Sequence, residues 1–230
     1  MKDEKLLSRF MRNTAHHNVI IERDEGVYRH LIFKAPGTNS YRFDIITWPG
    51  YLTVTGDMGT WTFSRERDMI TQFFPVGTAG GINPGYWSEK FEAGAGRGRH
   101  ESPCYEFDAQ AFDKGLQEWL ASYLDNGIDE DDAAEAKEAI SELTNRDFSS
   151  EAEAFYALND ACFPRGVSAF DISEGMGNML THSVHFLWIC YAIVWGSERY
   201  LTTRLVDKAM TTFLAFSGLL SDDASREVQS

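Results

Sequence analysis

The chain has 230 residues, of which 43% are hydrophobic and 13% aromatic, and its 35 acidic and 21 basic residues give a formal charge of −14. This composition excludes a disordered chain, and the charge argues against direct binding to a nucleic-acid backbone, because phosphate affinity comes from Lys and Arg. Three scattered cysteines, Cys104, Cys162 and Cys190, exclude a disulfide framework and predict a reducing, cytoplasmic environment.

An amphipathic helix is predicted near the N-terminus. Within residues 3–17, Leu6, Leu7, Phe10 and Met11 recur at helical spacing, so this helix is expected to lie across a sheet. The segment is charged throughout, which excludes a secretory signal sequence. No apolar run in the chain approaches the roughly 20 residues of a membrane span, and no membrane partner is therefore expected.

The next segment has the pattern of an antiparallel meander. Residues 18–23 and 27–34 are β-rich and flank the short connection Asp24-Glu25-Gly26. Residues 41–65, YRFDIITWPGYLTVTGDMGTWTFSR, add three β-rich runs separated by Gly-containing turns. Connections this short leave no room for the crossovers between parallel strands. The sequence therefore predicts four or five consecutive antiparallel strands.

Alternation along the first of these runs indicates which side chains face the core. Phe43 and Ile45, together with Tyr41, are predicted to point inwards and Asp44 to point towards water. Asp44 can then pair with Arg42 or His30 on the same face. Asp57 is predicted to be a turn residue that bonds its own backbone.

The same segment resembles an uncharacterised family of tailed-phage and prophage proteins. In that family a hairpin of the form YRFDxxTWPGYLxxxGDMGxxxFSR follows a strand like residues 26–31. The resemblance covers roughly residues 15–90, with a weaker match in the apolar segment from Trp188 to Trp195. It implies a phage origin, and hence the host cytoplasm as the location, but it implies no enzyme activity.

Helices are predicted to cover the apolar face of the sheet. One is expected from Arg65 to Phe74, and another begins at Pro84 and continues into YWSEKFEA. A flexible basic loop with Arg97, Arg99 and His100 follows. The predicted division is thus residues 1–100, a sheet with helices, and residues 101–230, a helical part packed against it, unless the two form a single continuous domain.

The second half of the chain has helical periodicity. Phe112, Leu116 and Leu120 lie on the stripe of one predicted helix, and residues 128–143 form a second whose first turn is acidic. A long helix from about residue 178 to residue 206 is apolar on nearly every side, so Trp188, Trp195 and His185 are expected to be buried. The predicted fold class is α+β, with an N-terminal antiparallel meander and an acidic helical C-terminal part.

Residues 125–160 contain 12 acidic and 2 basic residues, and so hold −10 of the chain's formal charge of −14. One interpretation is a solvated helical face. The other is a surface that imitates nucleic-acid phosphates and occupies the basic groove of a nucleic-acid-binding protein. The residues predicted to bind such a partner are Asp129, Glu130, Asp131, Asp132, Glu135 and Glu138.

The chain contains no motif specific for catalysis. His182 and His185 lack the spacing of a zinc protease, so neither a metal nor another cofactor is predicted. The function expected is that of a phage-encoded binding protein that inhibits a host nucleic-acid-binding or defence complex, such as a CRISPR effector. The alternative is an enzyme or sensor that binds a small ligand such as a nucleotide between sheet and helices, near His30, Asp44 and Trp61.

Overall fold

The computed structural model describes residues 2–74, 81–94 and 103–217, and its fold class is α+β. The chain forms two compact units: Met1–Cys104 with Val184–Ser230, and Tyr105–Ser183. The last helix thus belongs to the same unit as the sheet, which the predicted division into residues 1–100 and 101–230 did not anticipate. The basic loop of residues 94–100, apart from Gly94, and the last residues of the chain lie outside the described residues.

The first unit is built on a six-stranded sheet in which each strand is hydrogen-bonded to the next in sequence. All five pairings are antiparallel, which confirms the predicted meander. The sheet has one strand more than the upper limit predicted. Its strands are β1 (Asn18–Glu25), β2 (Tyr28–Lys34), β3 (Phe43–Trp48), β4 (Tyr51–Gly56), β5 (Trp61–Ser64) and β6 (Phe91–Gly94).

The turn after β4 depends on a glycine that lies against β3. Gly56 has a φ of 144°, and a Cβ at this position would lie 2.2 Å from the carbonyl oxygen of Arg42. The next residue, Asp57, accepts a hydrogen bond of 2.8 Å from the backbone N–H of Tyr41. Asp57 therefore ties the turn to the entrance of β3, whereas the sequence predicted a bond to its own backbone.

The helices of the first unit differ in extent from those predicted. The expected helix from Arg65 to Phe74 is a single π-helical turn, Met69–Phe73, and the helix after Asn83 stops at Ser88 before β6 begins. The last helix begins at Val184, not near residue 178, and continues well past residue 206. The helices are α1 (Lys2–Thr14), α2 (Pro84–Ser88) and α7 (Val184–Phe216).

Aromatic side chains fill the space between α1, α7 and the sheet. The ring of Trp188 in α7 lies 5.1 Å from that of Phe10 in α1 and 5.6 Å from that of Phe43 in β3. Gly196 allows α7 to approach the sheet closely, because a Cβ there would lie 2.7 Å from Cδ1 of Ile45. The predicted inward orientation of Phe43 and Ile45 agrees with their complete burial.

Several apolar side chains are more exposed than predicted. On α1, Leu6 and Phe10 are buried, but Leu7 and Met11 are 42% and 48% exposed. On α7, Trp188 is buried as expected, whereas Trp195 is only partly buried and His185 is exposed. The reason is geometric, because a helix that packs on one side leaves its far side in solvent even where that side is apolar.

The second unit is mainly helical. Its elements are β7 (Tyr105–Phe107), α3 (Ala109–Asp125), α4 (Glu130–Thr144), α5 (Glu151–Asp160), α6 (Ala169–Gly175) and β8 (Leu180–His182), and β7 pairs antiparallel with β8. Phe112 and Leu116 of α3 pack with Ile140 and Leu143 of α4 in a core of their own. None of the described helices in either unit is long and apolar enough to cross a membrane.

Candidate functional site

The acidic surface is built on α4, and its first residues have a structural role. The side chain of Asp129 caps the helix by accepting hydrogen bonds from the backbone N–H groups of Asp131 (3.0 Å) and Asp132 (2.9 Å). Glu130, Asp131 and Asp132 occupy the first turn, where negative charge stabilises the positive end of the helix dipole. The start of α4 thus explains part of the acidic cluster without any partner.

The remaining acidic residues of α4 form a stripe along the helix. At 100° per residue, Asp131, Glu135, Glu138 and Glu142 fall within an arc of about 60°, and all four side chains are exposed. Within the described part of the chain, none of these four carboxylates forms a salt bridge. We call these four residues the acidic stripe.

The buried side of α4 holds the acidic stripe in place. Ala136, Ile140 and Leu143 are at most 2% exposed and pack in the core of the second unit. A helix anchored by such a core presents its outer face as a rigid row, which flexible loop residues could not do. The sequence pattern predicted this orientation, because the apolar positions of residues 128–143 already recur at helical spacing.

The negative charge of α4 acts on the neighbouring helix as well. Tyr123, on α3, is half-buried beside the start of α4. Burial, followed by the negative charges of Asp132, Asp129 and Glu135, raises the pKa of the Tyr123 phenol.

The structure therefore separates the six predicted residues by role. Asp131, Glu135 and Glu138 lie on the stripe, whereas Asp129 caps the helix and both Glu130 and Asp132 lie off the stripe.

The structure brings together only two of the three residues predicted for the alternative ligand site. His30 and Asp44 are hydrogen-bonded, with 3.0 Å between His30 Nε2 and Asp44 Oδ2, and Arg42 donates two further bonds of 3.0 Å to the same carboxylate. Asp44 faces away from α7 as predicted, but it is buried because these two side chains cover it. Trp61 lies on the opposite face of the sheet, where it packs 6.0 Å from Phe186.

A groove on the outer face of the sheet contains part of this cluster. Its volume is about 510 Å³, and its wall includes Tyr28, His30, Ile46 and Trp48. The Trp48 ring stacks on Tyr51 at 5.2 Å, so the groove has an aromatic border. Of the three residues predicted to form a pocket between sheet and helices, only His30 lines this groove, which lies on the other side of the sheet.

Sequence patterns did not reveal a polar cluster at the edge of the sheet. Arg29 donates two hydrogen bonds, of 2.9 and 2.8 Å, to the carboxylate of Asp68 and one of 3.1 Å to the hydroxyl of Tyr200. The Tyr200 hydroxyl donates to Asp24 at 2.6 Å, and Arg204 pairs with Asp24 at 3.0 Å. These partners are up to 176 residues apart, so no local pattern could have predicted them.

The side chains of the Arg29 cluster are hydrogen-bonded to one another, which favours a structural role. Burial favours the neutral form of Asp68, but the hydrogen bonds and charge of Arg29, together with Thr71, outweigh it and lower the pKa of Asp68. Burial and the hydrogen bond to Asp24 raise the pKa of the Tyr200 phenol. Both groups thus stay in the forms that bind Arg29, and the cluster fastens α7 to β1, β2 and the π-helical turn.

The described residues contain little that resembles a metal or nucleophile site. Among them, no group of three or more His, Cys, Asp and Glu side chains could hold a metal ion. Burial, with a smaller effect of Cys104, raises the pKa of the Cys190 thiol well above its ordinary value, which suits an inert core residue.

Comparison of the chain with family models, curated proteins and solved structures found no match.

Proposed function

We propose that this is a binding protein, encoded by a phage, that inhibits a host nucleic-acid-binding or defence complex by presenting the acidic stripe to a basic groove. The observation that carries the proposal is a row of four exposed carboxylates, none of which forms a salt bridge with another described residue, on a helix whose other side is buried. A row of fixed like charges attracts a basic surface at long range and aligns it on contact.

The spacing of the acidic stripe favours a groove that holds one nucleic-acid strand. From Asp131 to Glu142 the helix rises about 16 Å, which gives about one charge every 5 Å. A single DNA strand carries one charge per roughly 3.4 Å of axis and the duplex one per roughly 1.7 Å. The stripe is therefore closer to one strand than to a duplex, and we infer that the partner is a protein that binds single-stranded nucleic acid.

The experiment is affinity purification of the tagged protein from bacterial host cells, with identification of bound proteins by mass spectrometry. The wild-type chain is compared with the variant Glu135→Lys, Glu138→Lys, Glu142→Lys, which reverses the stripe without altering the first turn of α4. We expect the wild-type chain to retain a basic, nucleic-acid-binding protein that the variant loses. Retention should fall with added salt, because exposed charges are screened over about 8 Å at physiological ionic strength.

A matched control keeps the net charge change but spares α4. Glu25, Glu66 and Glu118 are exposed and lie outside α4, and reversal of these three Glu residues to Lys changes the total charge by the same amount. This control should retain the partner. Loss of the partner from both variants would point to net charge instead of the stripe, and equal retention by all three proteins would refute the proposal.

A second candidate function, binding of a small ligand such as a nucleotide, is supported by the groove on the outer face of the sheet. Its volume of about 510 Å³ falls within the roughly 300–1,000 Å³ of ligand pockets. Trp48 could stack on a base, and His30 could donate to a phosphate. A nucleotide that raises the melting temperature of the wild-type chain, but not of His30→Ala or Trp48→Ala, would favour this function.

A further inference from the structure

The second half of α7 has an apolar face that nothing in the described structure covers. Beyond Tyr200, which is buried, nearly all of the large apolar side chains of the helix are exposed. At 100° per residue, Leu205, Ala209, Phe213 and Phe216 fall within an arc of about 80°. Val206 and Met210 widen this arc, and we call these six residues the α7 apolar face.

This part of α7 continues an anchored helix without a break. The hydroxyl of Tyr200 bonds to Asp24 and Arg29, and Arg204 bonds to Asp24 at 3.0 Å while its guanidinium lies over the Tyr200 ring. The direction in which the helix leaves the sheet is therefore determined by buried and half-buried polar contacts. The exposed apolar face begins directly after this anchor.

Five residues of this segment favour a helix only weakly. Thr202, Thr203, Val206, Thr211 and Thr212 are β-branched residues, which lose side-chain freedom in a helix. In proteins, most of the stability of a helix comes from the packing of its apolar face. The segment is helical as far as Phe216, so a packing partner for its apolar face is the simplest physical reason.

We propose that the α7 apolar face binds the same face of a second copy of this chain, forming a symmetric antiparallel helix pair. Leu205, Val206, Met210, Phe213 and Phe216 are 69, 56, 54, 63 and 89% exposed. At roughly 150–250 Å² for each Phe and somewhat less for each of the other three side chains, this amounts to on the order of 600 Å². Two copies would bury about 1,200 Å², the lower limit of a specific interface.

The geometry of the face suits a two-fold axis near Ala209. Its short side chain lies in a depression bordered by Leu205, Phe213 and Phe216, where a second helix can approach closely. In an antiparallel pair centred there, Leu205 of one copy lies beside Phe213 of the other. Each copy contributes the same contacts, as a two-fold interface requires.

Charge and composition favour a second copy over the alternatives. The chain carries −14 overall, yet residues 201–217 hold only Arg204, Lys208 and Asp207, so each segment has a net charge of 2 − 1 = +1 and two such segments repel each other little. Residues 218–230 contain just three large apolar side chains, Leu219, Leu220 and Val228. These three side chains are fewer than the five large apolar side chains of the α7 apolar face.

The test is the mass of the full chain in solution, measured by sedimentation equilibrium over a wide range of concentrations. We expect the wild-type chain to have twice its monomer mass of 26.0 kDa. The variant Leu205→Glu, Phe213→Glu should raise the dimer dissociation constant by about 100-fold or more, because it would bury unpaired charge. Thr211→Glu, Ala215→Glu introduces two charges on the opposite side of α7 and should remain dimeric.

A cross-link tests the antiparallel arrangement. In a Cys162→Ser background, which removes the exposed thiol, Ala209→Cys should form a disulfide-linked dimer on oxidation, because the two Cα atoms near the axis lie within disulfide range. Thr211→Cys should not. A monomeric wild-type chain at every concentration, or a dimer that survives Leu205→Glu, Phe213→Glu, would overturn the proposal. Equal dissociation of both double variants would overturn it as well.

Discussion

At the scale of single residues, the Arg29–Asp68 pair connects parts of the chain that have no local relation. The Asp68 side chain also accepts bonds from the backbone N–H groups of Ile70 (3.1 Å) and Thr71 (3.3 Å), so it caps the π-helical turn. Its two roles can be separated by the variant Asp68→Asn, which keeps an acceptor oxygen for the cap and loses the charge that Arg29 binds.

We expect Asp68→Asn to lower the free energy of unfolding at neutral pH by about 3 kcal/mol, the lower end of the range for breaking a buried ion pair. Since the folded-state pKa of Asp68 is below its ordinary value of 3.8, the carboxylate's contribution is complete above that pH. It is lost as the pH falls through the lowered pKa. Denaturant unfolding from about pH 7 to about pH 2 should therefore show a constant difference between the two proteins down to about pH 4 and a shrinking difference below it. As control, Glu66→Gln should change stability by less than about 0.5 kcal/mol.

Gly56 and Gly50 allow backbone strain to be distinguished from steric overlap. Both have positive φ, 144° and 86°, but a Cβ at Gly50 meets nothing within 4 Å, whereas at Gly56 it overlaps the backbone of β3. Gly50→Ala should cost about 1–2 kcal/mol of stability from strain alone. Gly56→Ala should cost clearly more, because β3 must also move. If both variants lost the same stability in thermal unfolding, the close approach of Gly56 to β3 would make no contribution to stability.

At the scale of elements, the packing of α7 on the sheet depends on Trp188. We expect Trp188→Ala to lower the free energy of unfolding by about 3–5 kcal/mol, the usual cost of deleting a large core aromatic. Its indole N–H has no hydrogen-bond partner among the described residues, so Trp188→Phe should cost much less. Trp195→Ala, at a half-buried position of the same helix, is the control and should cost less than Trp188→Ala. A loss below about 1 kcal/mol for Trp188→Ala would contradict the packing of α7 on the sheet.

The elements predicted well from the sequence are those whose structure depends on residues close together in the chain. The turns between β3, β4 and β5 contain Gly and Pro at the required positions, so the meander follows from neighbouring residues. Strand β6 was missed because Phe91–Gly94 follows a helix start at Pro84 without a turn motif, and because its pairing partner Trp61 lies far away in sequence. The helix expected after Arg65 is a short π-helical turn, since the contacts of Asp68 with distant Arg29 hold this segment on the sheet.

The candidate sites also differ in how much of each could be predicted from the sequence. The acidic stripe was partly predictable, because Asp131, Glu135 and Glu138 have helical spacing in the sequence, although Glu142 was not included. The pocket around His30, Asp44 and Trp61 was expected between sheet and helices, but strand alternation places Trp61 on the face opposite the other two. The Arg29 cluster and the α7 apolar face were not predicted, because both depend on where α7 leaves the sheet.

At the scale of the whole molecule, each unit presents one surface that its own fold leaves unused. The second unit displays the acidic stripe, which suits a basic partner, and the first displays the α7 apolar face, which suits an uncharged one. If the chain is a dimer, two acidic stripes are present per particle. A partner with two basic grooves could then bind both at once, which would raise its apparent affinity through effective concentration.

The central claim is that the acidic stripe takes the place of a nucleic-acid strand, and competition tests it most directly. A fluorescent single-stranded oligonucleotide is bound to the purified host protein recovered with the tagged chain, and fluorescence anisotropy is followed as wild-type chain is added. We predict displacement by the wild-type chain and by the control reversed at Glu25, Glu66 and Glu118, and none by the Glu135→Lys, Glu138→Lys, Glu142→Lys variant. Binding of the wild-type chain that leaves the oligonucleotide in place, or equal displacement by the stripe variant, would contradict the claim.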